Sequence, residues 1–159
     1  MVISNKLETL KWALFAILSG SAVMYALNQL LGVRMELFGD LTSYFHPSLF
    51  IGLVLTPFIA GVIVSLIYGL GGKVLCYFPA LIVYLSQYFI TLMDRTAVPD
   101  DMRLLPLGYM GFIIIVAIEA AAVGGILGEL WVKKTYGRMP RHVVYKDPPK
   151  DRPDEPKSG

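Results

Sequence analysis

The chain has 159 residues, 55% of them hydrophobic and 16% charged, with a mean hydropathy of +0.60. Charge is absent from residues 12–31, 48–70 and 74–92, whereas a water-soluble globule spreads charge over its surface helices, so that class is excluded. A lone cysteine excludes a disulfide scaffold, and the composition excludes collagen and wholly disordered chains. What remains is an all-α integral membrane protein with four transmembrane helices.

A helix needs about 20 apolar residues to cross a hydrocarbon core roughly 30 Å thick. Residues 12–31, 48–70, 74–92 and 105–131 meet that length, and together they form a transmembrane domain over 12–131. They are continuous apolar runs, unlike the alternating strands of a barrel. The segment 1–11 is expected on the cytoplasmic side. Lys6 and Lys11 precede the first run as in a signal peptide, but the run is longer than the usual apolar region of about 7–15 residues and predicts a retained anchor. The second and third runs contain Pro57 and Pro79, which predict kinks rather than breaks because neighbouring helices can satisfy the freed carbonyls. Only Gly71, Gly72 and Lys73 separate these two runs, which demands a tight antiparallel hairpin.

The connection after the first run carries Leu37, Phe38, Leu41, Tyr44 and Phe45, spaced like one face of a short interfacial helix. The connection after the third is polar, with Asp94, Arg95, Asp100, Asp101 and Arg103, and Pro99 interrupts regular helix there. Lys6, Lys11, Lys73, Lys133, Lys134, Arg138 and Arg141 fall on one side of the spans; Arg34, Arg95 and Arg103 fall on the other. The positive-inside rule then predicts both termini in the cytoplasm, in a plasma (inner) membrane. Trp12 and Trp131 sit at the expected cytoplasmic boundaries, and Tyr44, Phe45 and Tyr88 near the opposite one.

Residues 132–159 read as a basic, then proline-rich cytoplasmic tail whose distal part is expected to be disordered. Lys133, Lys134, Arg138 and Arg141 are candidates for contact with anionic lipid headgroups. A nucleic-acid role is not expected, because no aromatic platform or motif accompanies the cluster.

Glu119 is the candidate proton or ion site. It lies near the middle of the fourth run, where an ionised carboxylate costs at least about 2.5–3.5 kcal/mol. No Lys, Arg or His occupies comparable depth in another run. Opposite it on the helix, Ala117, Ala120, Ala121, Gly124, Gly125 and Gly128 form a small-residue face of the kind that lets membrane helices approach closely. Glu129, beside Trp131 and Lys133, reads as an ordinary interfacial charge. His46 and His142 fall outside the runs on opposite sides, which argues against an intramembrane bis-His haem site.

No G-x-S-x-G, H-E-x-x-H or Walker pattern occurs, so neither catalytic residues nor a cofactor are expected. Asp94, Asp100, Asp101, Glu36, Asp40 and His46 put oxygen and nitrogen ligands on the outer side, but solvated loop charges look the same and no metal site is expected. The expected role is a small non-enzymatic membrane subunit, embedded in lipid, whose fourth helix packs its small-residue face against partner helices of other subunits, with the cytoplasmic tail aiding assembly or membrane attachment. The alternative is a small oligomeric proton- or cation-coupled transporter or channel with Glu119 in the pathway.

Overall fold

A computed structural model of the protein describes residues 2–39 and 47–136. The chain forms α1 (Val2–Leu31), β1 (Leu37–Phe38), α2 (Pro47–Phe50), a π-helical segment (Ile51–Leu55), α3 (Thr56–Tyr68), α4 (Gly72–Leu75), α5 (Tyr77–Met93), β2 (Arg103–Leu104) and α6 (Leu107–Tyr136). Four helical stretches, Leu7–Leu31, Ile51–Tyr68, Gly72–Met93 and Leu107–Thr135, are long and apolar enough to cross a membrane. The outer helices α1 and α6 run for 30 residues each, roughly 45 Å, and so exceed the hydrocarbon thickness.

The prolines do not simply kink regular helices. Thr56 N–H donates to Ile51 O, one residue further back than in an α-helix. In that register the next donor would serve Gly52 O, but Pro57 has no N–H. The Tyr84 hydroxyl supplies the bond from α5, at 3.0 Å. Pro79 lies in the first turn of α5, where helical N–H groups lack intrahelical partners and a missing donor costs little.

α3 and α6 touch through backbone. A Cβ built on Gly61 would overlap the Ala121 carbonyl, and one on Gly124 would overlap the Phe58 carbonyl. Gly128 faces Ser65 and Val62, with an added Cβ 2.7 Å from Ser65 Cβ. Gly125 meets Cys76, where a Cβ would lie 2.6 Å from the sulfur. α1 joins at Gly20, which approaches Val64 of α3 and Pro79 of α5. Around these approaches the core gathers Met24, Ala60, Ala80, Val83, Tyr84, Met110, Ile114 and Ala117. Large apolar side chains such as Phe15, Leu18, Ile90, Phe112 and Ile126 point outward, as lipid contact permits.

The two long connections meet. β1 pairs antiparallel with β2, Leu37 opposite Leu104 and Phe38 opposite Arg103, and Leu105 N–H donates to Glu36 O at 2.9 Å. The chain is mostly helical, as expected, and this short two-stranded ribbon is its one addition among the described residues. The interfacial helix expected from Leu37, Phe38, Leu41, Tyr44 and Phe45 is corrected at its start: Leu37 and Phe38 are strand, because ribbon pairing satisfies their backbone, while residues 40–46 lie outside those described. The tight hairpin turns at Gly69 and Gly71, both with positive φ, and helix resumes at Gly72. At the far end of the chain, helix continues through Lys133 and Lys134 to Tyr136. Arg138, Arg141, His142 and the proline-rich stretch lie outside the described residues.

Candidate functional site: a pocket with buried polar side chains and an outward carboxyl

The C-terminus of α1 builds the first half of the pocket. Gly32, at φ 62°, reverses the chain: its N–H donates to Gln29 O at 3.2 Å, and Val33 N–H donates to Asn28 O at 3.0 Å. This is the Schellman arrangement, in which a left-handed glycine closes the last helical carbonyls. It turns Val33 and Met35 onto Gly52, where an added Cβ would lie 2.6 Å from Val33. Glu36 is thereby pulled inward, only 3% exposed, beside Asn28 at 1%.

α5 supplies the second half. Tyr84, Gln87 and Thr91 recur at helical spacing along one face, and Thr91 Oγ1 donates to Glu36 Oε1 at 3.3 Å. Arg34 Nε donates to the same oxygen at 3.1 Å. Asn28, Gln29, Arg34, Glu36, Gln87 and Thr91 line a pocket of about 280 Å³, with Tyr25, Val33 and Ile90 as its less polar wall. Four buried polar atoms around it lack a hydrogen-bond partner among the described residues: Asn28 Nδ2 and Oδ1, Glu36 Oε2 and Gln87 Oε1. Each such atom costs about 1–3 kcal/mol when left unpaired.

Glu119 lies elsewhere. It is exposed on the outer surface of α6, flanked one and two turns away by the exposed Phe112, Ile115, Val123 and Ile126. No described side chain pairs with it, and neither this pocket nor a wider depression of about 560 Å³ beside Arg95, Asp100 and Arg103 includes it. The small-residue face lies on the other side of the helix. Ala117, Ala121, Gly124, Gly125 and Gly128 are buried and Ala120 is half-buried. The glycines and Ala121 rest against this chain's own α3, α4 and Cys76, so the expectation that this face docks onto a partner helix is corrected: it is occupied from within.

Glu129 has a more particular place than an interfacial charge. Its Oε1 accepts from Gly71 N at 2.8 Å and Lys73 N at 3.0 Å, an anion at the N-terminus of the helix that begins at Gly72. Cys76 Sγ lies 3.2 Å from Gly61 O, 3.0 Å from Gly72 O and 3.4 Å from Ser65 Oγ, inside the hairpin. Lys133 and Lys134 are exposed in the last turns of α6. Among the described residues no group of three His, Cys, Asp or Glu could hold a metal ion.

These features define a class: a small helical membrane protein with four candidate membrane-spanning helices. No protein family, curated protein or solved structure matches the chain, so its particular role rests on the geometry above.

The residues of the pocket were not singled out by sequence reasoning. Glu36 reads as a loop charge until the Gly32 reversal is known. Only the Tyr84, Gln87, Thr91 spacing on an otherwise apolar helix carries a signal.

Proposed function

We infer that this protein is a small, non-enzymatic, multi-pass membrane subunit that docks onto a partner helix through the Glu119 face of α6. The observation that supports this is the outward position of Glu119 at mid-span amid exposed Phe112, Ile115, Val123 and Ile126. Lipid tails offer a carboxyl group no hydrogen bond, whereas a helix with a basic or hydrogen-bond-donating side chain at the same depth does. The partner inferred is therefore a transmembrane helix of a different chain carrying such a donor. Both termini are inferred to face the cytoplasm, on the side of Lys73, Lys133 and Lys134. The two exposed lysines add attraction to anionic headgroups there, about 1 kcal/mol each.

Photocrosslinking tests the reading. A crosslinker placed at Ile115 or Val123, in the native membrane, should yield an adduct with another protein. The same group at Leu18 on α1 should yield far less. An adduct of twice the chain's mass would instead favour the oligomeric transporter, since an ion path through this outward carboxyl would run between copies. No adduct at either position contradicts docking on this face. A reporter fused to the C-terminus tests the orientation.

A further inference from the structure

The pocket between α1 and α5 presents an uneven set of unpartnered atoms: three acceptors, Asn28 Oδ1, Glu36 Oε2 and Gln87 Oε1, and one donor, Asn28 Nδ2. Asn28 and Glu36 are almost wholly buried, and all three residues line the same 280 Å³ space. We propose that this pocket binds a primary ammonium with an adjacent oxygen, an ethanolamine-type group, either free or as a lipid headgroup.

The donor and acceptor count carries the proposal. An R–NH3⁺ group has three donors and no acceptor, which matches the three oxygens. The neighbouring oxygen of such a ligand answers Asn28 Nδ2. Glu36 contributes a carboxylate whose charge is balanced in part by the half-exposed Arg34. Its Oε1 is held by Arg34 and Thr91, which orients the carboxylate and leaves Oε2 for the ligand. Tyr25 on the pocket wall adds an aromatic ring suited to a cation.

Other ligand classes fit less well. An anion would meet three unpartnered acceptor oxygens, one of them on a carboxylate, against a single unpartnered buried donor, Asn28 Nδ2. A bare calcium ion wants six to eight oxygens at about 2.3–2.6 Å, and a pocket of 280 Å³ is large for it. A quaternary ammonium has no N–H to give the three oxygens.

The test uses the full chain purified in detergent and, separately, in nanodiscs of phosphatidylethanolamine and phosphatidylcholine in equal amounts. Calorimetric titration should show ethanolamine binding about tenfold or more tighter than choline. Alternatively, native mass spectrometry after delipidation should show phosphatidylethanolamine retained over phosphatidylcholine. Free-amine binding alone assigns the small molecule; lipid retention alone assigns the headgroup; either supports the shared chemistry. Glu36→Gln keeps the hydrogen bond to Thr91 and removes the charge, and should weaken the preferred ligand about tenfold. Gln87→Leu, one oxygen fewer, should do the same in a second background. Equal binding of ethanolamine and choline together with equal retention of both lipids overturns the proposal without reference to any variant. So does wild-type affinity in a folded Glu36→Gln or Gln87→Leu protein.

Discussion

The hydroxyl of Tyr84 donates to the carbonyl of Gly52 across 3.0 Å, joining the middle of α5 to the π-helical turn before Pro57. The bond exists because two local features leave that carbonyl without a donor: the one-residue register shift, and the missing N–H of proline.

That origin gives a coupled prediction. Tyr84→Phe should lower stability by about 1–3 kcal/mol, the cost of leaving a buried carbonyl unpaired. Restoring a backbone donor with Pro57→Ala should shrink that cost, so the two substitutions are non-additive in a double-mutant cycle. Thermal or denaturant unfolding in detergent measures all four corners. Additive effects would mean that Pro57 is not what frees the carbonyl.

The contact of α3 with α6 predicts sharp position dependence among glycines. Gly61→Leu or Gly124→Leu must displace backbone and should destabilise the isolated chain by about 1–3 kcal/mol or more. Gly111, on the same helix with nothing within 4 Å of an added Cβ, should tolerate Ala and gain up to about 1 kcal/mol in helix propensity. Melting temperatures of the monomer in detergent separate the cases.

Glu129→Ala should cost about 1 kcal/mol, because its carboxylate serves two N–H groups at the start of the helix from Gly72. The opening should be local. Hydrogen exchange at Gly71 and Lys73 should accelerate while the amides of α6 stay protected; a uniform change would contradict a capping role.

How much of this was legible in the chain follows from the range of each force. Helix spans depend on hydropathy summed over about twenty residues, so four of them can be read without tertiary knowledge. The small-residue face on α6 could be read from spacing, but its counterpart, Gly61, is a single glycine that matters only once α3 is laid against Ala121. Glu36 was hidden because its burial depends on one left-handed residue, Gly32, and on the pairing of Leu37 with Leu104, more than sixty positions along the chain. The expected interfacial helix failed at Leu37 and Phe38 for the same reason: a distant strand competes for backbone bonds that local periodicity does not see. Glu119 was conspicuous, but its outward aim is fixed by which face of α6 the glycines commit to α3.

The central claim is that the Glu119 face of α6 is where another chain sits. It is tested most directly by comparing wild type with Glu119→Leu by native-size separation in mild detergent, with the stability of the isolated chain measured alongside. An outward carboxylate contributes nothing to the monomer's own packing, so the substitution should leave monomer melting unchanged while the larger assembly is lost. An assembly of unchanged size, or a chain that unfolds on losing Glu119, would contradict it.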